Sequence, residues 1–335
     1  MRTDRWMTED RLLLYDRYAA EMAHRISSRL PQGWGLDVIR ASDPVEHQKR
    51  MFDRAKALVT TRYGSELPPS PRLRLIQIPA AGINGIDFAA VPLGCQVCNV
   101  FEHEGPIAEY VLLAMLEWQI GMTRLDANLR DGQWSGGGSS EGITHQELAG
   151  RSLGIIGAGH IARAVAQRAQ AFGVHCRSIT RNPESVADLG WPVQGMDKMM
   201  ELLATSDFVL IAVPLSETTR GLIGEAELSQ MKPSAVLINV ARGKIVQEAP
   251  LYAALAERRI RGATLDVWYR YPKPGETEGS PSQFPFQNLD NVQMTPHASA
   301  WTDALFVRRW DKVADNLHRL ANHQPLLNLI SSNHE

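Results

Sequence analysis

The chain has 335 residues, and at ~150 residues per domain this length predicts two domains. Lysine and arginine number 35 against 37 acidic residues, a net charge of −2, which excludes a basic surface for nucleic acid or an anionic membrane. The longest apolar runs, such as Val111–Leu116, are too short to span a membrane, and the charged start lacks the apolar core of a signal peptide. Three cysteines, two of them in the isolated pair Cys95 and Cys98, predict neither disulfides nor a metal site. A cytoplasmic globular protein is expected.

The first hundred residues alternate short Val, Ile and Leu runs with helical segments, the pattern of βα units around a parallel sheet. Helices are predicted over residues 16–30, 44–54 and 84–90. The predicted strands are Arg11–Tyr15, Leu36–Arg40, Ala57–Thr61, Leu73–Ile78 and Cys95–Val100. These elements indicate a small doubly wound α/β domain.

A second set of elements starts with a long helix predicted from Pro106 to Arg130, followed by a loop over Gln133–Gly142. A C-terminal helix is predicted from Thr302 to about Asn322. Between them lie six predicted strands, at Leu153–Ile156, His175–Ile179, Phe208–Val213, Val236–Val240, Ala263–Val267 and Val292–Thr295. The fold class is therefore α/β, with two doubly wound parallel sheets.

A dinucleotide-binding fingerprint lies after the first of these strands, where Gly157-x-Gly159-x-x-Ala162 leads into a helix. Gly157 permits the tight turn, and Gly159 lets the backbone approach a pyrophosphate. The backbone N–H groups near His160 and Ile161 are expected to face the phosphates at the helix N-terminus.

The end of the next strand predicts which nicotinamide cofactor binds. NAD sites carry an acid about 20 positions beyond the first glycine, where its carboxylate binds the ribose hydroxyls. Here Thr180 lies at that position, 23 residues after Gly157, with Arg181 next. A hydroxyl and a guanidinium suit a 2′-phosphate, so we predict that NADPH is preferred. In the alternative, Arg181 stacks on the adenine and NAD(H) still binds.

The motifs taken together resemble the D-isomer-specific 2-hydroxyacid dehydrogenase family, which includes glyoxylate/hydroxypyruvate reductases, phosphoglycerate dehydrogenases and formate dehydrogenases. The segments that carry the resemblance are Ala80–Asp87, Ala108–Tyr110, Gly154–Ala162, Pro214–Gly221, Met231–Val246, Gly262–Val267 and Thr295–His297. The resemblance implies a flavodoxin-like substrate domain, residues 1–104 with 299–335, and a Rossmann cofactor domain, residues 105–298, with substrate between them. It also implies a homodimer formed through the Pro106–Arg130 helix and the loop that follows.

Arg242 and His297 match the family's catalytic arginine and acid/base histidine. A guanidinium can bind a substrate carboxylate and polarise the keto oxygen, and an imidazole can exchange a proton near neutral pH. The family glutamate that supports the histidine is replaced here by Tyr271, a third predicted catalytic residue. A phenol carries no charge at neutral pH, so His297 is expected to be neutral over more of the physiological range.

Three functions are compatible with these residues. The leading one is NAD(P)-dependent reduction of a small 2-oxo acid to the D-2-hydroxy acid. Tyr271 favours the second, hydride abstraction from formate without acid/base help, while Thr180 disfavours it. The third, a nucleotide-sensing regulator with little catalysis, is disfavoured because Arg242 and His297 are both present.

The resemblance assigns further residues to ligands. Those for the cofactor, beyond the fingerprint, are Val213, Pro214, Thr219, Val240, Ala241 and Asp266, the last as acceptor for the nicotinamide carboxamide. Those for the substrate are Arg62, Tyr63, Ala81, Gly82, Ile83, Asn99 and Ser299.

Overall fold

The computed structural model describes residues 9–134, 136, 144–186, 188–273 and 276–330. Contacts between α-carbons divide the chain into two compact units. Unit 1 takes the described residues of Met1–Glu102 and Thr302–Glu335, and unit 2 takes those of His103–Trp301. The breaks therefore lie at 102/103 and 301/302, against predicted breaks at 104/105 and 298/299. The predicted loop over Gln133–Gly142 lies largely outside the described residues.

Unit 1 is built on a parallel five-stranded sheet. Its strands are β1 (Asp10–Tyr15), β2 (Trp34–Ile39), β3 (Ala55–Val59), β4 (Leu75–Gln77) and β5 (Gln96–Cys98). Their order, β2-β1-β3-β4-β5, is the flavodoxin-like order. The helices of unit 1 are α1 (Arg17–Glu21), α2 (Ala23–Ile26), α3 (Val45–Arg54) and, from the C-terminus, α10 (Asp303–Ala321).

Both faces of the unit 1 sheet are covered, which explains why its strands are nearly continuous apolar runs. Along β1, Leu12 packs in one core with Trp310 of α10, while the adjacent Leu13 packs in the opposite core with Phe52 of α3. The side chains of neighbouring strand residues point to opposite faces, so each face receives every second residue.

Unit 2 is built on a parallel seven-stranded sheet of order β12-β11-β10-β9-β6-β7-β8. Its strands are β6 (Ser152–Ile156), β7 (His175–Thr180), β8 (Val193–Gly195), β9 (Phe208–Ile211), β10 (Val236–Asn239), β11 (Gly262–Leu265) and β12 (Val292–Met294). Its helices are α4 (Glu104–Ile120), α5 (Met122–Arg130), α6 (His160–Ala171), α7 (Met199–Thr205), α8 (Glu225–Gln230) and α9 (Glu248–Ala256). The reversal of strand order beside β6 is the arrangement of a Rossmann fold, and the predicted fold class is confirmed.

Several predicted elements differ from the structure. The helix predicted over Pro106–Arg130 is two helices, because Gly121 adopts φ 68 and ends α4. The helix predicted over 84–90 is wrong, since only a 3₁₀ turn, Phe88–Ala90, forms there. The backbone before it pairs instead with Tyr63, whose N–H donates to Gly85 O and whose carbonyl accepts from Asp87 N. Strand β8 was not predicted, and residues 16–30 form α1, α2 and a 3₁₀ turn.

No helix in the described part of the chain combines the length and the apolar character that crossing a membrane requires.

Candidate active site

The predicted site residues of unit 2 follow its strands at one edge of the sheet. Gly157 follows β6, Val213 follows β9, Arg242 follows β10 and His297 follows β12. Every pairing between these strands and their neighbours is parallel, so the loops all leave the carboxyl edge. That edge is where open α/β sheets bind ligands.

The glycine turn has the geometry that a dinucleotide needs. Gly157 adopts φ +118, and a Cβ added there would lie 2.5 Å from the carbonyl oxygen of Ala212, so only glycine is accommodated. A Cβ added to Gly159, the N-cap of α6, would meet no atom within 4 Å. His160 and Ile161 open the twelve-residue helix. The open space over the N-terminus of α6 therefore fits a pyrophosphate.

The residues predicted to select the cofactor lie at the end of β7. Thr180 is the last residue of the strand and is half-buried, while Arg181 is exposed. The Arg181 guanidinium donates a hydrogen bond of 3.3 Å to the hydroxyl of Thr218. A guanidinium and the hydroxyl of Thr218 thus meet beside the end of β7.

The other predicted cofactor residues shape the loops after β9 and β10. The Thr219 hydroxyl donates to the carbonyl oxygen of Pro214 at 2.6 Å and accepts from Ser216 N at 2.8 Å, which closes the turn that begins at Val213. Val240 and Ala241 are buried between β10 and Arg242. In the contacts that the structure describes, Thr219, Val240 and Ala241 therefore stabilise the backbone of these two loops.

Arg242 is held by a buried amide that the sequence analysis did not single out. Asn239 accepts a hydrogen bond from Ala241 N at 3.1 Å and donates one to the carbonyl oxygen of Arg242 at 3.1 Å. The following residue, Gly243, passes so close to the next loop that a Cβ there would lie 2.4 Å from the carbonyl oxygen of Trp268. The backbone of Arg242 is thereby positioned beside the segment that follows β11.

The loop that carries His297 is tied to a fully buried carboxylate. Asp266 accepts three hydrogen bonds, from the Thr295 hydroxyl at 2.6 Å, Ala298 N at 2.7 Å and Ser299 N at 3.0 Å. Between these contacts His297 adopts φ 61, a left-handed conformation that is rare for any residue except glycine. Backbone strain of this kind persists only where the surroundings enforce it. Asp266 is therefore a positioning residue for His297.

These contacts bear on the prediction that Asp266 binds the nicotinamide carboxamide. With no exposed surface on Asp266, a direct hydrogen bond to a ligand requires the loop to move. The Tyr110 hydroxyl lies 2.7 Å from the Thr295 hydroxyl. Because Thr295 gives its proton to Asp266, Tyr110 is the donor to Thr295. Tyr110 and Thr295 lie in two of the segments that carry the family resemblance, Ala108–Tyr110 and Thr295–His297, but the sequence predicted no role for either residue.

His297 is in contact with Tyr271, the residue in the position of the family glutamate. The Tyr271 hydroxyl lies 3.3 Å from Nδ1 of His297 and accepts a hydrogen bond of 3.1 Å from Trp268 N. Crowding by protein atoms lowers the pKa of His297 below its ordinary 6.5, with Asp266 opposing the decrease and Arg242 adding to it. These surroundings therefore favour the neutral imidazole over the imidazolium.

Unit 1 holds most of the predicted substrate residues. Tyr63 is buried in the core that also contains Phe52, which leaves little of its ring exposed to a ligand, and its contact with substrate stays a prediction. Arg62, its neighbour, is exposed after β3. Asn99 is buried and donates to the carbonyl oxygen of Ala81 at 2.9 Å, so it stabilises that loop.

The remaining predicted substrate residues lie in loops at the ends of strands. Ala81, Gly82 and Ile83 are half-buried in the loop beyond β4. Ser299, in unit 2, is buried, with its N–H bonded to Asp266.

The described residues contain no group of three or more His, Cys, Asp or Glu side chains able to hold a metal ion. The three cysteines are free, and burial raises the pKa of Cys95 and of Cys98 to about 12. Thiols with such pKa values are protonated at neutral pH and unreactive.

Comparisons with known proteins agree with this geometry. Residues 112–299 match the family described as D-isomer specific 2-hydroxyacid dehydrogenase, NAD binding domain. The chain is 32% identical to a glyoxylate reductase of Korarchaeum cryptofilum over 89% of this chain and 90% of that protein. It is also 32% identical to a D-3-phosphoglycerate dehydrogenase of Methanocaldococcus jannaschii, over 78% of this chain and 48% of that protein. A solved 2-hydroxyacid dehydrogenase of Ketogulonicigenium vulgare superimposes with a TM-score of 0.80, at 26% identity, covering 98% and 100% of the two chains.

Proposed function

Because the chain belongs to the D-isomer-specific 2-hydroxyacid dehydrogenase family and is an oxidoreductase, we propose that it reduces a small 2-oxo acid to the D-2-hydroxy acid. The observation that carries the proposal is the placement of Arg242 and of the Asp266-bound His297 loop at the carboxyl ends of β10 and β12, on the sheet that also presents the glycine turn. The glyoxylate reductase relative makes glyoxylate the first substrate to test.

Each residue has a distinct task in this reaction. When bound, a reduced nicotinamide cofactor would be held through its pyrophosphate by the backbone of the glycine turn and would supply the hydride. Arg242 binds the carboxylate of the substrate and stabilises the negative charge that develops on the carbonyl oxygen. His297 delivers the proton to that oxygen, and Asp266 keeps the imidazole in place.

The test is a panel of glyoxylate, hydroxypyruvate, phenylpyruvate and formate, assayed with each nicotinamide cofactor at several pH values. Reduction of at least one 2-oxo acid, with formate inert, is expected. Turnover of formate alone would replace the proposal with formate oxidation, which Tyr271 favours because removing a hydride from formate requires no proton transfer. Tight cofactor binding without any turnover would indicate a nucleotide-sensing regulator.

We further propose that NADPH is preferred over NADH, on the strength of Thr180 and Arg181 at the end of β7 and of the Thr218 hydroxyl, from the loop after β9, that Arg181 contacts. Arg181→Ala is expected to lower kcat/KM with NADPH about tenfold or more, since a charge-assisted bond to the 2′-phosphate is lost, and to leave NADH nearly unaffected. Thr180→Asp is expected to move the preference to NADH by adding a carboxylate for the ribose hydroxyls.

The control for this cofactor prediction is Arg177→Ala, an exposed arginine on the same strand that pairs with Glu201. It should leave both cofactors unchanged. A wild-type enzyme that already prefers NADH would contradict the assignment of Arg181.

We also propose that unit 1 binds the substrate and unit 2 the cofactor, and that the protein is cytoplasmic. Arg62 and the backbone of Ala81, Gly82 and Ile83 are the proposed substrate contacts of unit 1. Their place after β3 and β4, at the carboxyl edge of a parallel sheet, supports this assignment.

A homodimer through α4 and α5 is proposed from the apolar side chains on these helices. Leu113, Met122 and Leu129 are 61%, 64% and 51% exposed, and exposed apolar groups of this size favour association. Leu113→Glu with Leu129→Glu is expected to convert the dimer to a monomer in sedimentation experiments, because buried unpaired carboxylates oppose association. Phe172→Glu, an exposed apolar position at the end of α6, is the matched control. A wild-type monomer would refute the proposal.

A further inference from the structure

The Tyr271 hydroxyl has two hydrogen-bond partners, one of which can only donate. Trp268 N is a backbone amide, so the Tyr271 oxygen accepts from it at 3.1 Å. The phenol keeps its single proton, which it can donate to its other partner, Nδ1 of His297, 3.3 Å away. In that arrangement Nδ1 carries no proton of its own, and the neutral imidazole carries its proton on Nε2.

This polarity is the reverse of that produced by a carboxylate. A glutamate beside Nδ1 accepts a proton from the ring and stabilises the imidazolium. A phenol donates a proton to the ring and stabilises the neutral imidazole.

We propose that Tyr271 is a proton-relay residue, which fixes His297 as its Nε2–H tautomer and passes a proton to Nδ1 while Nε2 protonates the substrate. The inference rests on the proposed reduction, and it concerns a residue where the chain departs from its family. Through the relay, His297 acts as an acid without first becoming an imidazolium.

The step balances in atoms and charge. Hydride addition to the carbonyl carbon moves the π electron pair to the oxygen, which becomes an alkoxide. The Nε2–H bond breaks as the product O–H bond forms, and the phenolic O–H bond breaks as a new Nδ1–H bond forms. The negative charge ends on the Tyr271 oxygen. After product release the phenolate takes its proton back from Nδ1 and water protonates Nε2, since solvent reaches both side chains, with Tyr271 52% exposed.

The groups around the relay explain why a phenol is suited to it. Without a donor at Nδ1, loss of the Nε2 proton would leave an imidazolate, whereas phenol has an ordinary pKa near 10. The largest influence on the pKa of Tyr271 is desolvation by the neighbouring protein atoms, which raises it even though half of the side chain is exposed, and the charge of Asp266 adds to the rise. The hydrogen bond from Trp268 N and the field of Arg242 oppose this rise by favouring the phenolate. The resting phenol stays protonated at neutral pH. Arg242 and Asp266 are also the charged groups that act on His297.

The tautomer can be measured without turnover. In cofactor-free protein labelled with ¹⁵N-histidine, we expect the His297 resonances, identified by their loss in His297→Gln, to show an unprotonated Nδ1 and a protonated Nε2. In Tyr271→Phe, which keeps the ring and removes the hydroxyl, this preference is expected to weaken. A protonated Nδ1 in the wild-type protein would overturn the proposal.

The pH profile of reduction tests the relay itself. Wild-type kcat is expected to stay flat between pH 6 and 9, because the acid is supplied by a phenol. In Tyr271→Phe the acid must be the imidazolium, so kcat should fall tenfold per pH unit above a pKa at or below 6.5, about 30-fold or more by pH 8. Tyr271→Glu should move this decline to higher pH, since a carboxylate raises the pKa of His297.

Tyr269→Phe removes a nearby hydroxyl that is not among the described contacts of His297, and it should keep the wild-type profile. An unchanged profile in Tyr271→Phe, or a wild-type profile that already declines from pH 6.5, would refute the relay. If the proposed function is wrong, the outcome is different: no 2-oxo acid is reduced, whereas the ¹⁵N measurement still reports the tautomer of His297.

Discussion

Replacing Arg242 with alanine is expected to lower kcat/KM for reduction of the preferred 2-oxo acid by about 10²- to 10³-fold, the usual effect of removing a donor that stabilises a developing oxyanion. The guanidinium is the group that we assign to the substrate carboxylate and to the keto oxygen. In the structure its Nη1 donates to the carbonyl oxygen of its neighbour Ala241 at 2.7 Å, a contact that a substrate carboxylate can replace. Steady-state kinetics with the best substrate of the panel measure the effect.

Lysine at position 242 should recover only a small part of the lost activity, because an ammonium lacks the planar fork that binds a carboxylate through two parallel hydrogen bonds. Arg258→Ala is the matched control, since Arg258 pairs with Asp290 at an exposed site away from the proposed chemistry. An Arg242→Ala enzyme within fivefold of wild type would exclude a direct role in the reaction.

The second large effect is expected for Asp266→Asn, which should reduce kcat about 100-fold and lower the free energy of unfolding by about 3 kcal/mol. Two of the three donors that face this carboxylate are backbone N–H groups, of Ala298 and Ser299, bonded to different oxygens. An asparagine has one acceptor oxygen and one NH₂ group, so one backbone N–H is left facing a donor inside the protein. The loop then loses the contacts that hold His297 at φ 61.

Thermal or denaturant unfolding and kcat should be measured on the same Asp266→Asn preparation. Asp290→Asn, which removes a charge from an exposed ion pair, is the control and should change the free energy of unfolding by less than about 1 kcal/mol. If Asp266→Asn keeps wild-type kcat, Asp266 does not position His297. A loss of kcat with unchanged stability would show that its role is confined to the site.

The site residues of unit 2 could be predicted from short sequence motifs, because each motif lies within one segment of the chain. The glycine turn, Arg242 and His297 each follow a predicted strand, and the structure places all of them at the carboxyl edge of one sheet. Contacts between loops that are far apart in the chain could not be predicted from such motifs. Asn239 beneath Arg242 and the chain of hydrogen bonds from Tyr110 through Thr295 to Asp266 are examples, since their partners become neighbours only when strands pair.

The sequence by itself determined the fold class and the family, because strand and helix patterns and glycine motifs are properties of continuous segments. Only the tertiary structure decided the tasks of individual polar residues. It buried Tyr63 in a core and turned Asn99 towards the carbonyl oxygen of Ala81. It also placed the Tyr271 hydroxyl 3.3 Å from Nδ1 of His297. Burial and the direction of a hydrogen bond depend on which groups meet in space, and segments distant in the chain supply those groups.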